Sequence, residues 1–199
     1  MSRRPARARI ALSAATVLTP MLLLVGCSTS DGISGEQSYV SGDGTVSEFA
    51  PETRGDPIVF SGATDQGGMF DSTEYQGRIV VVNFWYASCP PCRIEAPWLE
   101  ELAQQFADDE VSFIGVNIRD DAGTALAFAR TFEISYPSIL DTDATVMTAF
   151  AGQASPAAVP TTIVLDREGR AASRIVGLID RDVLEMLIAT ALDERGGPT

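Results

Sequence analysis

Two cysteines, Cys89 and Cys92, enclose a Pro-Pro pair just beyond the apolar run Val82-Asn-Phe-Trp. That run reads as a strand and the segment after it as a helix, so the pair lies where a strand hands over to a helix N-terminus. Sulfurs so spaced, one helical turn apart, can close a disulfide. The unpaired N–H groups and the macrodipole at a helix start favour a thiolate on the leading cysteine. A thiolate is the nucleophile of disulfide exchange, so these residues at this spacing imply thiol–disulfide exchange wherever disulfides persist. Two other readings stand beside it: half of a zinc site, and an idle structural disulfide. The chain has no histidine and no second Cys-x-x-Cys, so zinc would want for ligands. Ser–His and Cys–His hydrolases and the common two-histidine metalloprotease motif are excluded on the same ground.

The N-terminus addresses the compartment. Arg3, Arg4, Arg7 and Arg9 precede an apolar run from Ile10 to Val25 that ends at Leu24-Val25-Gly26-Cys27. This reads as a secretion signal over residues 1–26, and the small residue before Cys27 resembles a bacterial lipobox. The run is short for a membrane span, which needs about 20 residues. Cleavage before Cys27 would leave that thiol to carry a lipid anchor; a signal cut elsewhere, or an uncleaved anchor, is the alternative. With Cys27 lipidated, Cys89 and Cys92 have only each other. Removing residues 1–26 takes four arginines and no acid, so the formal charge moves from −13 to −17. Every lysine-or-arginine position is arginine. Such an acidic chain is unsuited to nucleic acid, and its charge serves solubility and steers basic partners.

Residues 28–56 are rich in Ser, Gly, Asp and Glu, a composition expected of a flexible tether spanning on the order of 30 Å. Residues 57–195 are the size of one domain. Short strands are expected at Pro57–Ser61 and around Met69–Phe70, across the turn Asp65-Gln66-Gly67-Gly68. Ile79–Phe84 and Val111–Ile118 read as central strands. Pro90 to about Phe106 reads as a helix burying Ile94, Trp98, Leu102 and Phe106. A second helix covers Ala122–Phe132, with Ala125, Phe128, Ala129 and Phe132 inward, and a short one Ala144–Phe150. Thr161–Leu165 and Ala172–Val176 form a hairpin around Asp166-Arg167-Glu168-Gly169, and Asp180–Leu192 closes the chain as a helix. The pattern implies an α/β sandwich with a mixed sheet.

The string Val-Val-Asn-Phe-Trp-x-x-x-Cys-Pro-Pro-Cys-Arg-x-Glu-x-Pro, followed by Val159-Pro160-Thr161-Thr162, resembles the thioredoxin superfamily. More narrowly it resembles its TlpA/ResA-like (DsbE-like) extracytoplasmic branch, across residues 57–195. The resemblance implies a thioredoxin-like three-layer sandwich, with a mixed central sheet and helices on both faces. It makes Cys89 the attacking thiol and Cys92 the more buried, resolving one. Pro160 becomes the cis-proline facing the pair, where Val159 could pair with a substrate backbone. Trp85 packs beside the site. Asn83 stands where thioredoxins carry a buried aspartate, and Glu95 stands where ResA-like proteins carry a glutamate, so Glu95 could supply the acid–base group. Ser88 and Tyr86 depart from the usual residues and put partner specificity in doubt.

The resemblance implies exchange with thiols or disulfides of exported proteins, without metal or organic cofactor. The favoured direction is reduction, with apocytochrome c as one substrate and a membrane thiol as electron donor. An oxidant using the same residues is the near alternative. A peroxiredoxin-like peroxidase would want a threonine where Tyr86 stands, and a non-enzymatic binding lipoprotein would not need the two thiols.

Overall fold

The computed structural model describes residues 37–40, 45–152, 156 and 158–194. The expected signal peptide, Cys27 and residues 28–36 lie outside them. In chain order come β1 (Gln37–Val40), β2 (Val46–Phe49), β3 (Ser61–Ala63), β4 (Met69–Asp71) and β5 (Ile79–Trp85). Helix α1 (Pro90–Gln105) is followed by β6 (Val111–Asn117), α2 (Ala122–Phe132), β7 (Ser138–Leu140) and α3 (Thr145–Ala149). The chain then forms β8 (Thr161–Leu165), β9 (Ala171–Val176) and α4 (Arg181–Asp193).

Strand β5 organises the rest because every one of its residues is buried, as expected of a β-branched run in the middle of a covered sheet. Among the described residues the main sheet runs β1-β2-β9-β8-β5-β6-β7. The β5–β6 and β6–β7 pairs are parallel, and the other ladders are antiparallel. Alternation along β5 sends Val80, Val82 and Phe84 to one face, where Phe150 of the α3 segment and Phe60 and Phe70 of the β3–β4 region close over them. Ile79 and Val81 point to the other face, against Leu99 and Leu102 of α1 and Leu184 and Ile188 of α4. Helices thus cover both faces of a mixed sheet, the thioredoxin-like arrangement.

Three expectations shift. Residues 45–56 belong to the folded unit: β2 pairs with β9 along Val46–Glu48. Arg54, inside the expected tether, donates to Asp166 at 3.0 Å and to Glu194 at 2.6 and 2.8 Å. A strand of four residues with two polar members leaves too little composition signal to mark it. The first hairpin strand is Ser61–Ala63 rather than Pro57–Ser61, although Ile58 and Phe60 are buried. Along α1, Ile94 is 52% exposed, whereas Cys92, Glu95, Ala96, Leu99 and Leu102 are buried. The four-residue series begins outside at Ile94 and turns onto the inward face by Leu102 and Phe106, because a helix turns 3.6 residues, not four.

Candidate active site

The C-terminal end of β5 carries Asn83 and Trp85 to the edge of the core and then turns. The Cys89 amide donates to the Tyr86 carbonyl at 3.1 Å, closing the turn. Cys89 is the N-cap of α1, and the Cys92 amide donates to Cys89 Sγ at 3.3 Å. Pro90 and Pro91 occupy the first helical turn, where an amide would have no intrahelical acceptor. Cys89 and Cys92 form a disulfide with a Cα–Cα distance of 5.3 Å. The two cysteines are equally enclosed, at 1% and 2% exposure, where Cys92 was expected to be the more buried. The reason is packing: Tyr86, Ala87 and Val159 lie against the cluster that holds both.

The Val159–Pro160 peptide is cis, as the resemblance implies. The Val159 carbonyl oxygen stands 4.0 Å from Cys89 Sγ; a disulfide sulfur carries no proton, so this is a contact and not a hydrogen bond. The Pro160 carbonyl accepts from the Gly177 amide at 2.8 Å, tying the proline to the segment after β9.

Below the disulfide, Glu95 is completely buried. Asn83 Nδ2 donates to Glu95 Oε1 at 2.8 Å and to Thr162 Oγ1 at 3.0 Å, and the Ile179 amide donates to Glu95 Oε2 at 3.2 Å. Burial pushes the Glu95 carboxyl up to about 7, against the downward pull of the Asn83 and Ile179 hydrogen bonds. Its ionised form is therefore accessible near neutral pH, one helical turn from Cys92. Burial, then the charges of Glu100 and Glu95, holds the Tyr136 phenol well above its ordinary range. A cavity of about 20 Å³, lined by Asn83, Trp85, Cys92, Phe128, Tyr136 and Ser138 among others, lies behind Cys92. Trp85 Nε1 donates to Ser138 Oγ at 3.2 Å, and its ring lies 4.3 Å from Phe128.

The structure therefore gathers Asn83, Trp85, Cys89, Cys92, Glu95 and Pro160 at one end of the sheet. Reasoning from sequence passed over Thr162, the Ile179 amide and Ser138. Thr162 stood in the quoted Val-Pro-Thr-Thr segment, and its place across the β5–β8 ladder from Asn83 was the available signal. It also passed over Asp120, whose Oδ2 accepts from the Ala87 amide at 2.6 Å and from Asn117 Nδ2 at 3.0 Å.

A disulfide-capped helix at the end of a mixed sheet, facing a cis-proline, defines the class as a thioredoxin-like redox fold. The chain belongs to the Redoxin family, whose model matches residues 45–186. It is similar to the thiol-disulfide oxidoreductase ResA of Geobacillus thermodenitrificans, with 28% identity over 110 residues, 55% of this chain and 61% of that one. It is also similar to the soluble secreted antigen MPT53 of Mycobacterium tuberculosis, with 32% identity over 89 residues, 45% of this chain and 50% of that one. The match thus spans between half and two-thirds of these curated relatives. Among solved structures, a DsbF homologue from Corynebacterium diphtheriae superposes with a TM-score of 0.69 at 28% identity, covering 78% of this chain and 98% of that one.

Proposed function

We propose that this chain is an extracytoplasmic thiol–disulfide oxidoreductase, held to a membrane by lipid on Cys27, that reduces disulfides of exported proteins. The observation that carries the reading is the closed Cys89–Cys92 disulfide at the start of α1. In the reduced protein the Cys89 thiolate attacks one sulfur of a partner disulfide, and the other partner sulfur leaves as a thiolate. Cys92, deprotonated, then attacks Cys89 of the mixed disulfide and releases the second partner thiol. Two electrons pass to the partner, and the protein disulfide closes. Glu95, with its carboxyl near 7, takes up and returns the Cys92 proton. Val159, against Cys89, offers backbone to a bound chain. Residues 1–26 serve as the export signal, and the names of secreted relatives support the same compartment.

The reducing direction is supported by what surrounds Cys89. Pro90 and Pro91 lack amide hydrogens, so two of the free donors of a helix start are missing, and the Val159 carbonyl faces the sulfur. A thiolate with few donors is weakly stabilised, and the disulfide is then harder to reduce. Apocytochrome c thiols are the substrate class that the family resemblance favours, with a membrane thiol restoring the reduced state. Equilibration with a dithiothreitol or glutathione redox buffer tests the direction. The expected potential lies nearer the about −270 mV of thioredoxin than the about −120 mV of DsbA; a value near the latter makes the chain an oxidant. Cys27→Ala is expected to release the processed protein from membranes and leave its exchange rate unchanged.

A further inference from the structure

Acids outnumber bases in this chain, 27 to 14, and four of the arginines away from the disulfide are ion-paired, whereas Arg78 bonds Ser112 and the Val111 carbonyl instead and Arg130 makes no ion pair among the described residues. Arg54, Arg167, Arg170 and Arg181 all lie within ion-pair distance of carboxylates. The two arginines packed on the turn before Cys89 are held differently. Arg93, the residue after Cys92, donates to the Ala87 carbonyl at 3.2 Å and lies over the Phe132 ring at 5.1 Å. Arg119 lies over the Tyr86 ring at 3.9 Å. Both are exposed, and neither makes an ion pair among the described residues. The nearest acids in sequence have other partners: Glu95 is buried on Asn83 and the Ile179 amide, Asp120 sits at the same turn but holds the Ala87 amide and Asn117, and Asp121 caps α2 through the Thr124 amide. Stacking fixes each guanidinium in place while leaving N–H donors free.

Two exposed apolar side chains lie on the segments that carry the site. Ile94 of α1 is 52% exposed, and Leu178 is 44% exposed. Leu178 is flanked by Gly177, bonded to the Pro160 carbonyl, and Ile179, bonded to Glu95 beside Ile94. The Leu178 segment is thereby tied both to the Pro160 loop and to α1.

We infer that this surface selects partner segments that carry a carboxylate beside the reacting cysteine and an apolar side chain next to it, with Arg93 and Arg119 reading the acid and Ile94 and Leu178 the apolar group. The inference rests on the exchange reading above and assigns its specificity. It concerns an extended protein segment, because Ile94 and Leu178 stand on different elements, α1 and the segment after β9.

The test uses symmetrical disulfides of a short Leu-containing peptide with Glu, Gln or Arg on both sides of its single cysteine. Each is mixed with the reduced protein, which becomes the disulfide as two peptide thiols form. The Glu peptide is expected to react about fivefold faster than the Arg peptide, the scale of two exposed ion contacts. Arg93→Gln with Arg119→Gln should remove that ratio and leave the Gln peptide unaffected, whereas the paired Lys substitutions should keep it. Leu178→Ser should slow all three peptides alike. An Arg peptide that reacts as fast as the Glu peptide, or a ratio that survives the paired Gln substitutions, overturns the inference. Oxidised glutathione reacting as fast as the Glu peptide overturns the choice of a protein segment. If even the Gln peptide is not reduced, the exchange reading itself falls.

Discussion

Glu95 is where protonation and folding meet. Its carboxyl sits near 7 in the folded protein, against an ordinary 4.5. Between those values the unfolded chain has already lost the proton and the folded protein still holds it. Stability therefore falls as pH rises from about 4.5 to about 7, by about 3 kcal/mol in total. Glu95→Gln removes this slope: urea unfolding at pH 5 and pH 8 should show the variant gaining about that much relative to the parent over the interval. The same substitution should slow closure of the mixed disulfide by Cys92 above pH 7, read by stopped-flow. Asn83 and Glu95 were singled out together in the sequence through the family resemblance, and the structure bonds them at 2.8 Å. Thr162 and the Ile179 amide, which orient that pair, were not, because one acts across a strand ladder and the other through a backbone atom no residue type marks.

At the scale of elements, the N-terminal strap decides the edge of the sheet. Strand β2 covers β9, which would otherwise present unpaired N–H and C=O groups to solvent. Arg54 fixes the strap with a guanidinium whose side chain is almost fully buried between Asp166 and Glu194. Arg54→Met leaves those carboxylates short of a cation and should cost about 3 kcal/mol in urea unfolding, since breaking a buried pair strands the remaining charge. Arg170, which also binds Asp166, keeps the loss from growing further. Central strands and helices were legible from β-branched runs and apolar spacing, because burial on both faces of β5 leaves no polar alternation to misread. The strap was not, because its contribution lies in backbone pairing and one long-range ion pair. Ile94 shows the complementary error: its four-residue spacing from Trp98, Leu102 and Phe106 suggests core, yet it is exposed.

Across the whole molecule, an acidic surface, a covered mixed sheet and a single redox pair divide the work. The sheet and its helices hold Cys89 and Cys92 at one end; the turn before Cys89 and the Pro160 and Leu178 segments frame them. On the proposed function, Cys89 exchanges with partner disulfides and Cys92 resolves the adduct. The most direct measurement is mass spectrometry of the Cys92→Ser protein after incubation with an unfolded protein disulfide. The expected product is one stable mixed disulfide through Cys89, absent from Cys89→Ser and from the parent protein. No adduct on Cys89, or turnover undiminished in Cys92→Ser, would mean that this pair does not carry the exchange.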